Sequence, residues 1–289
     1  MKRSRASQKE KAERLLSLHT GGDLLVLPNV WNPIVARILE KKGYPAVATA
    51  SAAVSASLGY RDGEKITRET LLDIIGRIAR SVEVPVSADI EAGYGASLSE
   101  LERTTEQVID TGVVGVNIED SHEEEGVLRA VEEQCQRIAA VRQTAERRGL
   151  HLVINARVDT FVSSAFTSDE HALEETVARA RAYTAAGADC IYPMGPGDQT
   201  TVRLLRWRIE SPINILASPS ATPLSVLRDI GVNRVSFGPF IFRSCLRKFA
   251  NIADALLTMG DYACFGDMMS REETGEYLLD GQEPERKGE

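Results

Sequence analysis

Residues 84–95 read VPVSADIEAGYG, and with the segment up to residue 120 they contain the repeat that decides the fold. The apolar run Pro85–Asp89 is typical of a strand that is buried on both faces. Leu98–Thr111 then has the apolar spacing of a helix, and Gly112 stands where a helix ends in the left-handed conformation. The apolar run Val113–Ile118 follows. This order of strand, helix and strand favours a parallel sheet whose strands are joined by helices.

The same alternation continues along the chain. Eight short apolar runs predict strands: Leu24–Leu27, Ala46–Ala50, Pro85–Asp89, Val113–Ile118, Leu152–Ala156, Asp189–Tyr192, Ile213–Ala217 and Arg234–Phe237. Amphipathic stretches predict helices: Pro33–Lys42, Arg68–Ser81, Leu98–Thr111, Val131–Arg148, Asp169–Ala186, Thr201–Glu210 and Pro223–Ile230. Candidate helix caps are Thr67 and Ser168 at N-termini, and Gly43, Gly112, Gly149, Gly187 and Gly231 at C-termini.

Eight strands that alternate with helices predict an α/β fold, a (β/α)8 or TIM barrel. The alternative is an open doubly wound sheet, which has fewer strands and needs a glycine-rich first turn where this chain has Pro28–Trp31. The 289 residues suit one barrel, which typically has about 250.

The barrel is expected to occupy only part of the chain. We expect the catalytic barrel and an N-terminal helix within residues 1–243, a helical extension of the same domain within 244–275, and a disordered polar tail within 276–289. The apolar stretches Phe240–Met259 and Tyr262–Met269 predict the helices of the extension.

Composition excludes several classes of protein. The net charge is −8 and no basic stripe is present, which argues against a nucleic-acid partner. No apolar run reaches the roughly 18 residues of a membrane span, so no membrane partner is expected. The four cysteines have no CxxC spacing, which argues against a zinc or redox motif. Because no signal peptide is recognisable either, we expect a cytoplasmic protein with reduced thiols.

Polar residues cluster where the predicted strands end, and in a barrel the active site lies at that end. Asp89 and Glu91 follow the third strand, Glu119 ends the fourth, and Asp62 lies in the loop after the second. Crowded carboxylates need a neutralising cation, and oxygen ligands without His or Cys suit Mg²⁺ or Mn²⁺. Arg157, after the fifth strand, could hold a substrate carboxylate with two hydrogen bonds.

Other polar residues at this end allow two interpretations. Asp120 and Asp159 are either site residues or helix caps. His122 is either a catalyst or a loop histidine, and Tyr94 either belongs to the site or packs beside it. Gly93 would let the backbone approach a ligand closely.

Five segments, taken in order, resemble the isocitrate lyase/phosphoenolpyruvate mutase superfamily. They are Pro28-Asn29, Leu58-Gly59-Tyr60-Arg61-Asp62, Asp89-x-Glu91-x-Gly93-Tyr94-Gly95, Gly115-x-x-Ile118-Glu119-Asp120 and Asn155-Ala156-Arg157-Val158-Asp159. The resemblance covers roughly Leu24 to Arg243. Each segment alone is unspecific, and their specificity comes from the ordered set.

The resemblance implies a role for each position. Asp89 would bind Mg²⁺ directly, and Asp62, Glu91 and Glu119 would act through water. The candidate catalytic residues are Arg157, Glu119, Tyr94 and His122. The candidate substrate-binding residues are Ser51, Ala52, Asp62, Gly93, Asn155 and Arg157, with Ser51 and Ala52 in a loop, Thr49–Ala52, that would hold the substrate carboxylate.

The segment Ser121–Arg129 departs from the family pattern. It has neither the Cys-containing Lys-Lys/Arg-Cys-Gly-His motif of isocitrate and methylisocitrate lyases nor the Lys and Asn-Ser gating residues of the mutase. It is acidic and would lie over the carboxylates as a lid. The proton donor stays open between His122, Tyr94 and water.

These features predict a Mg²⁺-dependent carbon–carbon lyase or decarboxylase that acts on a small 2-oxo or 2-hydroxy di-acid resembling oxaloacetate. The alternatives are a phosphoenolpyruvate or phosphonopyruvate mutase or hydrolase, and a non-catalytic barrel that binds a 2-oxo acid. The resemblance also implies a homotetramer, a dimer of dimers in which C-terminal helices are swapped between subunits.

Overall fold

A computed structural model describes residues 7–122, 127–258 and 261–280. Its strands are β1 (Leu25–Leu27), β2 (Asn29–Val30), β3 (Val47–Thr49), β4 (Val86–Asp89), β5 (Gly115–Glu119), β6 (Val153–Val158), β7 (Cys190–Pro193), β8 (Asn214–Leu216) and β9 (Arg234–Ser236). All of their pairings are parallel. Each of the eight predicted strands overlaps one of these, so the α/β barrel prediction is confirmed.

The helices lie between the strands and around them. They are α1 (Gln8–Thr20), α2 (Pro33–Lys41), α3 (Ser51–Ser57), α4 (Arg68–Ser81), α5 (Leu98–Asp110), α6 (Val131–Arg147), α7 (Asp169–Ala185), α8 (Gln199–Arg208), α9 (Leu224–Ile230), α10 (Phe240–Leu257) and α11 (Arg271–Gly275). The predicted caps are confirmed, because the hydroxyls of Thr67 and Ser168 accept from backbone N–H groups of α4 and α7. All five predicted helix-ending glycines have positive φ.

The first barrel strand is divided, which the sequence analysis did not predict. Pro28 has no N–H and interrupts the ladder, so that β1 pairs with β9 and β2 pairs with β3. The Asn29 side chain connects both sides of the break: its amide nitrogen donates to the Thr49 carbonyl at 2.8 Å, and its oxygen accepts from Phe237 and Gly238. On the opposite side, β7 and β8 meet through the single bridge Ile191–Ile213. The barrel is therefore closed from sheets of six and three strands.

The predicted loop Thr49–Ala52 is wrong in part, because α3 begins at Ser51. Its sequence SAAVSAS is rich in alanine, the best helix former. The predicted N-terminal helix is present as α1, which lies across the bottom of the barrel and buries Leu15 and His19.

The C-terminal region also differs from expectation. Tyr262–Met269 is mostly irregular and contains one 3₁₀ turn, Ala263–Phe265. α10 begins before the predicted boundary at residue 243, and Met259 lies outside the described residues. Tyr277, in the tail predicted to be disordered, is buried, and its carbonyl accepts from Arg37 at 2.7 Å. Residues 281–289 lie outside the described part.

Apolar residues from strands and helices form one large buried cluster between the barrel wall and the helix layer. Within the described residues, no helix has the length and apolar character needed to cross a membrane.

Candidate active site at the carboxyl ends of the strands

A cavity of about 300 Å³ opens at the carboxyl ends of the strands. Its lining combines carboxylates, arginines, small residues and amides: Asn29, Thr49, Ala50, Ser51, Ala52, Asp62, Asp89, Asn117, Arg157, Tyr192, Met194, Leu216, Arg234, Ser236, Gly238, Pro239, Phe240 and Arg243. A larger cavity of about 640 Å³ lies near Ser17 and Tyr44, at the opposite end of the barrel. The strand-end cavity is the better candidate, because the charged residues converge there and barrel enzymes work at that end.

Asp89, the last residue of β4, is held in place by neighbouring strands. One carboxylate oxygen accepts from the Ser51 N–H at 2.9 Å, and the other accepts from the Asn117 side-chain amide at 2.9 Å. Its own N–H donates to the Thr49 hydroxyl at 2.9 Å. These contacts fix the carboxylate in the cavity wall.

The segment after β4 is strained and tightly connected. Glu64, Glu91 and Tyr94 all have positive φ near 50°, which is unfavourable for residues with a side chain. The Glu91 carboxylate accepts from the Gly63 and Glu64 N–H groups and from the Tyr94 hydroxyl, the last at 2.7 Å. Glu64 in turn accepts from the Tyr94 N–H at 2.8 Å. These three residues hold one another in conformations that each alone would avoid.

Arg157 is already paired with two carboxylates. Its Nε and Nη2 donate to Asp159 at 2.6 and 2.8 Å, and its Nη1 lies 2.6 Å from a Glu119 oxygen. Asp159 also accepts from the Ser121 hydroxyl. A substrate carboxylate would therefore use the hydrogens of Nη1 and Nη2 that these partners leave free.

A second cavity, of about 230 Å³, contains the other two carboxylates. Glu91, Glu119 and His122 line it together with Gly63, Glu64, Lys65, Ala92, Gly95, Ala96 and Arg129. Asp62 and Asp89 line the first cavity, and the ion pair of Arg157 with Glu119 connects the two. The four predicted carboxylates thus converge on one end of the barrel, two in each cavity, and Glu64 adds a fifth carboxylate in the second cavity.

The electrostatics of this group suit a divalent cation. Burial and the Asp89 carboxylate raise the pKa of Asp62, and burial raises the pKa of Glu91 to about 7. Burial also raises the pKa of Glu119, and the carboxylates of Asp159, Asp89 and Glu91 add to the effect although Arg157 opposes it. Carboxylates that repel one another in this way are stabilised by a bound cation.

Among the described residues, no three His, Cys, Asp or Glu side chains lie close enough to bind one metal ion directly. The group therefore fits a cation that one carboxylate binds directly and that others contact through water, which is common for Mg²⁺.

The predicted substrate-binding residues divide into two sets. Ser51, Ala52, Asp62 and Arg157 line the first cavity. Asn155 is completely buried below it, where its amide donates to Asn117 at 2.8 Å, and thus supports the amide that contacts Asp89. Gly93 lines neither cavity, and a Cβ there would lie 2.5 Å from a Leu101 methyl carbon, so this glycine serves close packing.

The predicted catalytic residues have distinct surroundings. Glu119 and His122 line the second cavity. At the described base of the predicted lid Ser121–Arg129, the His122 N–H donates to the Val127 carbonyl. Tyr94 packs against the core, and its hydroxyl is engaged with Glu91. Residues 123–126 of the lid lie outside the described part of the chain.

Asp120 is not a helix cap. It is completely buried and accepts from Arg179 at 3.0 Å, from Tyr183 at 2.8 Å and from the Asp159 N–H at 2.9 Å. Asp159, the other candidate cap, instead holds Arg157. The sealed cluster, as we call Asp120, Arg179 and Tyr183, lies behind the second cavity.

Sequence reasoning missed several residues of the first cavity, among them Asn117, Arg234 and Arg243. Asn117 lies one position before Ile118 in a predicted strand, and its amide was not considered as a partner for Asp89. Arg234 gave a usable signal, because a charged residue inside an apolar strand is unusual. Arg243 lies on α10, and no local pattern distinguishes it from the other cations of that helix.

The chain resembles known proteins in sequence and in fold. The family model for phosphoenolpyruvate phosphomutase matches residues 15–257. A 2-methylisocitrate lyase of Aeropyrum pernix is 28% identical over 82% of this chain and 77% of its own. Two solved structures share the fold at lower identity. Oxaloacetate acetylhydrolase with 3,3-difluorooxalacetate has a TM-score of 0.81 and 21% identity, and covers 94% of this chain and 93% of its own. Phosphonopyruvate hydrolase with oxalate and Mg²⁺ has a TM-score of 0.80 and 23% identity, and covers 92% and 94%.

The family match spans most of the barrel and includes every carboxylate of the two cavities. The chain therefore belongs to the phosphoenolpyruvate phosphomutase family, within the isocitrate lyase/phosphoenolpyruvate mutase superfamily.

Proposed function

We propose that this protein is a Mg²⁺-dependent carbon–carbon lyase or decarboxylase that acts on a small 2-oxo or 2-hydroxy di-acid of the oxaloacetate type. The observation that carries the proposal is the convergence of Asp62, Asp89, Glu91 and Glu119 with Arg157 at the catalytic end of a barrel. The relatives of known activity act on small organic acids, which supports the substrate class.

Asp89 would hold the metal directly, and Asp62, Glu91 and Glu119 would hold it through water. Bound Mg²⁺ would stabilise the negative charge of the enolate that is left when the bond next to the 2-oxo group breaks. Mn²⁺ could replace it at such oxygen ligands.

Several side chains would orient the substrate and control protons. Ser51 and Ala52 line the cavity beside Asp89, and Arg157 would donate to the substrate carboxylate. Burial beside Glu91 raises the pKa of Tyr94 above its usual range, so this hydroxyl keeps its proton and its engagement with Glu91. We therefore assign Tyr94 to positioning, and favour His122 or water in the second cavity as the proton donor.

The test is steady-state turnover of 2-oxo and 2-hydroxy acids, including oxaloacetate and phosphonopyruvate, with Mg²⁺ or with EDTA. Pyruvate release that disappears with EDTA and falls at least about 1000-fold in Asp89→Ala would support the proposal. The control is Asp110→Ala, since Asp110 belongs to an exposed ion pair with Arg148.

The same panel tests the alternatives. Turnover of phosphonopyruvate alone would support carbon–phosphorus chemistry, which the family name and the fold shared with phosphonopyruvate hydrolase favour. Binding of 2-oxo acids without any turnover would support the non-catalytic alternative.

We also propose a homotetramer with swapped C-terminal helices, in the cytoplasm. α10 and the segment after it expose large apolar side chains: Leu246, Phe249, Leu256, Leu257, Tyr262 and Met268. All four cysteines are unpaired, which suits a reducing compartment. Light scattering that gave a monomer mass would contradict the tetramer.

A further inference from the structure

The first cavity has two walls of opposite charge. Asp62 and Asp89 form one wall, and Arg234 from β9 and Arg243 from α10 contribute to the other. Arg157, which also lines the cavity, is already compensated by Glu119 and Asp159. The basic wall therefore consists of the two arginines that come from the last strand and the helix after it.

Neither arginine of this wall forms an ion pair with a carboxylate of the described part of the chain, although the Asp89 carboxylate across the cavity acts on Arg234 over a longer distance. Arg234 is 2% exposed, its Nε has no hydrogen-bond partner, and its Nη1 lies 3.4 Å from a ring nitrogen of His19. Burial lowers the pKa of His19 to about 4, so this neighbour is neutral and does not compensate the charge. A buried cation without an anion is destabilising.

Arg243 is exposed rather than buried, but it also forms no ion pair with a described carboxylate. It is exposed at the mouth of the cavity, in the first turn of α10, and its guanidinium forms no hydrogen bond or ion pair with any described residue. A guanidinium with free donors, directed at a cavity, suits a carboxylate or a phosphonate.

We propose that Arg243 is a specificity-determining residue that binds a second acid group of the substrate, and that Arg234 stabilises the same group from below. The inference rests on the proposed function, in which the 2-oxo-acid end of the substrate lies against Asp89. Once a divalent cation neutralises the acid wall, the two uncompensated arginines match a ligand with an additional anionic group. The volume of about 300 Å³ is at the lower end of the range for small-molecule sites, which suits a small di-acid.

The experiment compares ligands that share the 2-oxo-acid end but differ in the second group. Calorimetry with Mg²⁺ would measure the binding of oxalate, of 3,3-difluorooxaloacetate with its distal carboxylate, and of phosphonopyruvate with its distal phosphonate. The variants are Arg243→Met, Arg234→Met and the control Arg247→Met, one turn further along α10 and outside the cavity lining.

Arg243→Met is expected to weaken binding of one or both ligands with a distal acid by about 10- to 100-fold, and binding of oxalate by less than about twofold. The more affected ligand identifies the distal group as carboxylate or phosphonate. Arg247→Met should bind all three as the unmodified protein does. An equal loss for all ligands, or no loss for any, would overturn the assignment of Arg243.

Arg234→Met is expected to show the same selectivity while its urea midpoint stays equal or rises, since an uncompensated buried charge has been removed. A lower midpoint without ligand selectivity would overturn its part in the proposal. Failure of the unmodified protein to bind oxalate in a Mg²⁺-dependent manner would contradict the proposed function itself. Oxalate binding without any preference for the distal acid would contradict this inference alone.

Discussion

Glu119 and Asp120 are neighbours in the chain, yet their carboxylates differ in exposure and in hydrogen-bond partners. Glu119 faces a cavity and shares its one cationic partner, Arg157, with Asp159. Asp120 is fully enclosed in the sealed cluster, where a guanidinium, a hydroxyl and a backbone N–H all donate to it. Because side chains alternate at the end of a strand, adjacent residues can reach opposite sides of the barrel wall.

The comparison separates residues that hold the fold from residues that are available to a ligand. In the sealed cluster every carboxylate oxygen of Asp120 has a donor and the residue has no exposed surface, so a ligand cannot reach it. In the cavities, burial is the main cause that raises the pKa values of Asp62 and Glu91, and neighbouring carboxylates raise them further. The candidate site thus differs from the sealed cluster because Asp62, Asp89 and Glu91 line cavities and form no ion pair with a described cation.

The largest effect on stability is expected in the sealed cluster. Asp120→Ala should lower the free energy of unfolding by about 3–5 kcal/mol, because it leaves Arg179 and Tyr183 without their buried acceptor. Urea denaturation measures the change. Glu174→Ala, which removes an exposed ion pair with Arg208, is the control and should change stability by less than about 1 kcal/mol. A similar loss in both variants would remove the distinction between the regions.

A second sealed group, His19, should appear in the pH dependence of stability. Burial and then Arg234 lower its pKa from 6.5 to about 4 in the folded protein. As pH falls, the unfolded chain takes up the proton first, so the free energy of unfolding should decrease between pH 6.5 and about 4, by about 3 kcal/mol in total. Urea titrations of the unmodified protein and of His19→Gln measure this, since the contributions of the carboxylates cancel in the difference. Parallel pH profiles would show that His19 is not buried as a neutral group.

Glu119→Gln should give the opposite pattern from Asp120→Ala. We expect kcat/KM to fall by about 100-fold, because the variant removes a negative charge that orients Arg157 and contributes to the carboxylate group. The urea midpoint should change little, since Arg157 keeps Asp159 as a partner. A large loss of stability with unchanged kinetics would place Glu119 with the sealed cluster.

The smallest effect is expected for a substitution of Gly93. It tests whether this glycine is required for close packing or for ligand binding. Gly93→Ala should lower stability by about 1–3 kcal/mol, because the Cβ meets Leu101 and φ is +108°. Thermal or urea unfolding tests this. If oxalate binding were lost while stability remained unchanged, Gly93 would belong to the ligand site, as the sequence analysis expected.

Local sequence patterns were sufficient to predict the strands, the helix caps and the carboxylates Asp62 and Asp89 of the first cavity. Buried parallel strands have continuous apolar runs, and Asp89 and Glu119 were placed correctly because the carboxyl ends of parallel strands meet at one end of a barrel. The break at Pro28 could have been foreseen from the missing N–H.

The basic wall could not be predicted in the same way. Arg234 and Arg243 line the same cavity as Asp89 only because the barrel closes and β9 pairs with β1, and no local spacing encodes that arrangement. The partners of Arg157 and the enclosure of Asp120 are likewise products of tertiary packing. The sequence therefore identified charged residues such as Arg157 and Asp120, but it did not show which of them form ion pairs in the folded protein.

The interrupted ladder of this barrel has a mechanical consequence. The arc of six strands carries Asp89, and the arc of three strands carries Arg234 and leads into the helix of Arg243. The two sheets are connected by the chain at Pro28 and by the Ile191–Ile213 bridge. A small molecule that binds residues of both sheets would add a further connection between them. Ligand binding would then stiffen the whole ring, and amide hydrogens of β8 and β9 would exchange more slowly although none of them touches the ligand.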